Sequence, residues 1–190
     1  DAKCEGSDVR DEWPTEISEE GFYSINNSLN DNLMIQNSLQ EFLSTVFEYA
    51  YQAKGATEFH LCLQKPWTNM QTDENVTCSN KGYSTKTLHA IRYRSDGEGS
   101  AVSIDEFFET SLMLPELEAD RDEPVAWFFM PFFQEEECFG YSVVSYGSNP
   151  RVYDERYRRW VESLARGFEC MRRTVKVQVS EKKRAAKFAE

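Results

Sequence analysis

His60 and Cys62 stand two residues apart in the run Thr57 to Gln64, where Phe59, Leu61 and Leu63 alternate with His60, Cys62 and Gln64. That period of two is a strand, with an apolar face and a face carrying a histidine, a thiol and an amide. A histidine and a cysteine side by side could be two metal ligands, but a closed site takes about four. No further residue stands at ligand spacing, so no metal is expected. The only other histidine, His89, falls in a second strand, and is expected to be hydrogen-bonded or to face a pocket. No Ser-His-Asp or Cys-His arrangement follows from the order of the chain, so no catalytic residue is expected.

The five cysteines are Cys4, Cys62, Cys78, Cys138 and Cys170, an odd number with no CxxC pair. That usage fits reduced thiols and a cytoplasmic location better than a disulfide framework. Cys62 and Cys138, both in expected strands, read as small packing residues, which leaves Cys4 and Cys78 as the exposed thiols. A thiol reductase is the enzymatic alternative, and it requires two cysteines within bonding distance.

Several elements must hold these residues. The acidic stretch from residue 1 to 27, with Gly6 and Pro14, reads as a lead-in, residues 28–175 as one domain, and 176–190 as a helical connector. From Ser28 to Ala53 the residues Ile35, Leu39, Phe42, Val46, Tyr49 and Ala53 recur at three-and-four spacing, which predicts one amphipathic helix ending at Lys54-Gly55. After the first strand, Lys65 to Gly82 is a long excursion anchored by Trp67. Lys86 to Arg94 is a second strand, and Ser95 to Gly99 turns it into a third at Ala101 to Ile104. Asp105 to Leu114 reads as a short helix capped by Ser103 or Asp105 and stopped before Pro115. The charged segment Glu116 to Pro124 then crosses to a hairpin, Val125 to Phe133 and Cys138 to Tyr146, turned at Gln134-Glu135-Glu136-Glu137. Gly140 within it signals a close backbone approach or a bulge. A long helix begins near Asp154, with fraying expected beyond Val179.

The fold class that follows is α+β: a central antiparallel sheet with the N- and C-terminal helices packed on one face. The opposite face would carry any pocket, whose candidate lining is His60, Cys62, Gln64, Trp67, His89 and Trp127. In the last helix Val161, Leu164, Phe168, Met171 and Val175 form a stripe long enough to pair with a second copy, so a homodimer signalling through this helix is expected. The formal net charge of -12 argues against nucleic acid as a partner. Arg172, Arg173, Lys176, Lys182, Lys183 and Arg184 read as a solvated helix face. There is no run of about 18 apolar residues, so no membrane span is expected.

The carboxyl half resembles a GAF domain on Pro131, on Phe139-Gly140-Tyr141, and on Tyr153 followed by a helix with Trp160, Leu164 and Ala165. Leu61-Cys62-Leu63 with Trp67, Leu112-Met113-Leu114-Pro115, Cys138-Phe139-Gly140-Tyr141, and Val152-Tyr153-Asp154-Glu155 with Tyr157 and Trp160 extend the likeness. They resemble the GAF-like modules of bacterial, mainly Firmicutes, regulators, which carry a periplasmic-binding-protein-like domain upstream and a GGDEF diguanylate cyclase or DNA-binding output downstream. The resemblance covers Leu39 to Arg173. It implies a non-catalytic sensory domain in cyclic di-GMP or transcriptional signalling, covalently linked to an output domain and open to a small-molecule ligand. The Gly-Gly-Asp-Glu-Phe motif itself is absent from this sequence. A dimerising spacer that binds nothing is the other alternative.

Overall fold

A computed structural model describes residues 19–50, 56–70, 84–147 and 155–188. Two short helices lead, α1 (Glu19–Met34) and α2 (Leu39–Glu48), followed by β1 (Glu58–Gln64), β2 (Lys86–Arg94), β3 (Ala101–Val102) and β4 (Phe107–Glu109). The hairpin β5 (Trp127–Gln134) and β6 (Glu137–Ser145) then feeds the 34-residue helix α3 (Glu155–Phe188). Among the described residues the strands make one open antiparallel sheet in the order β3-β2-β1-β6-β5, with β4 also paired to β2. The protein is thus α+β, with its N- and C-terminal helices sharing one core on one face of the sheet. No described helix is long and apolar enough to cross a membrane.

That core converges on Phe168 of α3. Its ring lies 4.6 Å from Phe139, 5.3 Å from Phe42, 5.6 Å from Phe132 and 6.2 Å from Trp67, most of them edge to face. One residue therefore ties α2, the hairpin and the turn after β1 to α3. Aromatic pairs in this geometry add about 0.5–1.5 kcal/mol each beyond area burial.

The single helix expected over 28–53 is two. Ser38 accepts a hydrogen bond from the Glu41 amide on its Oγ, and the Glu41 carboxylate accepts from the Asn37 amide. This reciprocal arrangement, a variant of the capping box, starts a new helix in the middle of the apolar period. Ile35, counted in the stripe, lies in the break and is exposed. The expected end at Lys54-Gly55 lies outside the described residues, as do Cys4, Cys78, Tyr153 and most of the excursion before Gly82.

The boundary of the lead-in also moves. Helix α1 begins inside it, and Phe22, Leu29 and Leu33 are buried against α3. Gly167 is what allows the approach, because a Cβ there would come within 2.7 Å of the Leu33 Cβ. Asn26 donates to Ser163 and Arg159 to Tyr23 along the same seam. The apolar stripe of α3 is consequently used inside the chain. Val161, Leu164, Phe168, Met171 and Val175 are all at most 2% exposed, so they present nothing to a second copy, and the pairing expected of them is corrected. The helix runs on beyond Val179 to Phe188 with its last turns exposed.

The helix expected over Asp105 to Leu114 is instead β4 followed by a turn of 3-10 helix at Thr110–Leu112. Ser103 Oγ does accept from the Asp105 and Glu106 amides, as a cap would. The free edge of β2 then captures the chain, with Lys86 opposite Glu109 and Leu88 opposite Phe107. Edge pairing satisfies the backbone of both strands, which a two-turn helix on the surface would not.

Gly140 answers to the expected close approach. A Cβ there would sit 2.0 Å from the Cys62 carbonyl oxygen. Gly140→Ala is therefore expected to lower stability by about 1–3 kcal/mol, and Phe168→Ala by about 3–5 kcal/mol, both read from the midpoint of urea denaturation.

Candidate functional site

Strand β1 is buried along its whole length. Its apolar side chains enter the helix-side core, whereas Cys62 packs in a second cluster with Leu114 and Val143 on the other face. Facing β2, the register slips between Leu61 and Cys62: Leu61 opposes Ile91 and Cys62 opposes His89, leaving Ala90 unmatched. This bulge resets the alternation of β2. Leu88 and Ile91, three apart, both reach the helix-side core, and His89 and Arg92 are turned together toward His60.

The two histidines meet there. His60 Nδ1 lies 3.0 Å from His89 Nε2, and both rings are at most 2% exposed. Arg92 Nη2 stands 3.2 Å from His89 Nδ1. A guanidinium can only donate, so His89 Nδ1 accepts and the proton of the neutral ring is on Nε2. That proton is donated to His60 Nδ1, which leaves the proton of a neutral His60 on Nε2. Glu58 Oε2 is 3.6 Å from this nitrogen, an electrostatic contact rather than a full hydrogen bond. The whole chain of donors thus runs from Arg92 to Glu58.

Both ends are clamped by the segment that crosses the sheet between β4 and β5, with Glu106, just before β4, as a further clamp on Arg92. Arg92 Nε donates to Glu116 at 2.8 Å and its Nη2 to Glu106 at 2.7 Å. Arg121 grips Glu58 with both terminal nitrogens, at 2.7 and 3.3 Å, while its guanidinium lies 5.0 Å from the Trp127 ring centre. Leu114, fully buried, seats the segment on Cys62 and Val143.

The electrostatics follow from this enclosure. Burial, above all, pushes His89 down to about 4, against the pull of Glu116. Glu58 is held at about 2, by His60 first and by Arg121, in spite of its desolvation. For Glu116 burial works upward, but the facing histidines and Arg92 outweigh it and hold the carboxyl low. The Cys62 thiol is pushed far above its ordinary range, chiefly by burial. A thiol so raised supplies little thiolate, which counts against a reductase using it. Cys138 and Cys170 are likewise outside any disulfide, and their thiols donate to the carbonyls of Gly140 and Met34.

Of the residues expected to line a pocket, His60, Cys62, His89 and Trp127 do gather on the outer face, with the Trp127 ring 5.5 Å from His60. Gln64 is spent on the Cys138 carbonyl. Trp67 belongs to the opposite layer, packed on Phe139 and Phe168 and donating to the same carbonyl, because the 3-10 turn Lys65–Asn69 swings it across the end of the sheet. Glu58, Arg92, Glu106, Glu116 and Arg121 were not expected at the site. Glu58 alone left a trace in the sequence, as the residue two before His60 on the same strand face.

No family model matches the chain, and no curated protein or solved structure matches it either.

Arg121→Ala strands the Glu58 carboxylate under the crossing segment and is expected to cost about 1–3 kcal/mol. Long-range proton–nitrogen NMR at neutral pH should find His89 protonated on Nε2 and not on Nδ1; the reverse tautomer would mean that Arg92 does not donate to it.

Proposed function

We propose that this chain is the sensory module of a larger signalling protein, non-catalytic in itself, which binds a small apolar ligand and passes the effect to an attached output domain. The observation that carries the reading is a groove of about 390 Å³ on the outer face, lined by Thr110, Met113, Phe129, Met130, Pro131 and Tyr141. Its size and its apolar lining with few polar groups are those of a site for a small molecule. The Thr110 hydroxyl at its edge is already engaged, donating to the Ser84 carbonyl and paired with Thr87 Oγ1, so a ligand here would be held mainly by apolar contact.

Local strain supports the same reading. Met113 has φ 59° although it is not a glycine, and its carbonyl accepts from the Tyr141 hydroxyl across the groove. Such a conformation costs of order 1–3 kcal/mol and persists where surrounding contacts impose it, often at ligand clamps. A ligand that displaces Tyr141 or Met113 would shift the crossing segment, and with it Leu114 and the Glu116–Arg92 pair. Strand β6 relays the shift, since Tyr141 belongs to it and Tyr157 at the start of α3 donates to its Ser142. The exposed end of α3, Ser180 to Phe188, would carry the effect outward to a diguanylate cyclase or DNA-binding domain of the kind that the resemblance to GAF-like modules implies. With its stripe buried, α3 would act by moving against α1 rather than by pairing through that stripe.

A library of neutral aromatic fragments, screened by NMR with labelled methionine methyls, tests this. Binders should shift Met113 and Met130, and the shifts should vanish in Phe129→Lys while the fold persists. A screen in which no fragment moves either methyl would remove the sensory reading.

A further inference from the structure

We propose that His60, His89 and Glu116 form a site for one divalent transition ion of the zinc class, an assignment that does not depend on the apolar groove. One nitrogen of each histidine and one carboxylate oxygen of Glu116 lie within 4.8 Å of one another. The ligand types suit zinc, cobalt or nickel better than magnesium or calcium, which prefer oxygen alone. Around a tetrahedral ion with bonds of about 2.0–2.1 Å, neighbouring ligand atoms stand about 3.3 Å apart. His60 Nδ1 and His89 Nε2, at 3.0 Å, need to part by only a few tenths of an ångström. The ion would take the place of the proton between them; His89, to ligate through Nε2 as a neutral ring, would then carry its proton on Nδ1, and Arg92 would have to give up its contact there.

Independent features of the surroundings point the same way. Glu116 Oε2 is buried without a hydrogen-bond partner, so the carboxylate has an oxygen to spare, while its Oε1 lies 3.8 Å from His89 Nδ1. Glu58 lies behind the far nitrogen of His60, at 3.6 Å from Nε2, and is itself clamped by Arg121. A carboxylate behind a ligating histidine is the usual outer support of a metal site, because it fixes the tautomer that offers the other nitrogen. Three carboxylates, Glu58, Glu106 and Glu116, face two guanidinium groups, Arg92 and Arg121, so the cluster has a negative charge to spare for a cation.

Arg92 is the competitor. It holds Glu116 at 2.8 Å and approaches His89 Nδ1 at 3.2 Å, where a second positive charge would be repelled. Its bond to Glu106, at 2.7 Å, gives it a place to remain when an ion takes Glu116. Three protein ligands leave a fourth position, on the side where Glu116 is partly exposed, for water or a small anion. Metal-free and metal-bound forms would differ in whether Glu116, and the crossing segment with it, is held by Arg92 or by the ion.

The test is a titration of the full chain with cobalt(II), followed by visible absorption, and with zinc(II), followed by calorimetry. One ion per chain is expected, with the absorption of four-coordinate cobalt bound by nitrogen and oxygen. Glu116→Gln should weaken binding strongly, Glu58→Gln by roughly 10–100-fold as an outer support, and Arg92→Gln should tighten it. Circular dichroism checks the fold of each variant, and Glu116→Gln, at the partly exposed edge, keeps the test decisive if His60→Ala does not fold. Absence of saturable uptake overturns the proposal. So does a sulfur-to-cobalt charge-transfer band, which would put the ion on cysteines, or an affinity that Glu116→Gln and Arg92→Gln leave unchanged.

Discussion

Burial of β1 on both faces is the constraint on which the rest of this structure depends. A strand covered on one side can leave its polar residues to water, but β1 cannot. Glu58, His60, Cys62 and Gln64 all point away from the helix layer and all are buried, so each must be satisfied by protein. Arg121 answers Glu58, His89 answers His60, and the Cys138 carbonyl answers Gln64. The bulge at Ala90 is part of the same solution, since without it His89 would turn into the apolar core and leave His60 alone.

The helix layer obeys a different rule. Its centre is apolar, and Phe168 is placed where the hairpin, α2 and the Trp67 turn converge. Because α1 lies along α3 at Gly167 and Leu33, the long helix needs no second copy to bury its stripe. Only Val177 and Phe188 remain as large exposed apolar residues near its end. The position of α3 is thereby fixed by its fit against α1 and the sheet, both inside one chain.

Polar cluster and apolar groove are neighbours under one covering segment. Leu114 separates them: it seats on Cys62 and Val143 beside the histidines, and its neighbour Met113 lines the groove. Glu116 and Arg121 fix the segment by charge, Tyr141 and Leu114 by shape. A change on either side of Leu114 therefore acts on the same length of backbone, which gives a sheet face without long helices a way to respond as a unit.

Period and punctuation in the sequence were enough for the local elements. Lys86 to Arg94 is a strand over the very residues expected, the β5–β6 hairpin and the start of α3 fall within two residues of expectation, and Gly140 marks the close approach that it signalled. The assignment of His60 and Cys62 to the face away from the helices also came from alternation alone. What alternation could not see was where two signals compete. The Ser38–Glu41 cap overrode a continuous apolar period, and the open edge of β2 overrode the cap at Ser103. The site was the least legible part, because His60, His89 and Glu116 are far apart in the chain and are joined by a one-residue slip that leaves no mark in a strand's composition. Strand pairing chose the partners of His60, and the crossing segment supplied the charges. Both are long-range contacts, settled by the need to satisfy buried polar groups once the sheet is covered on both sides.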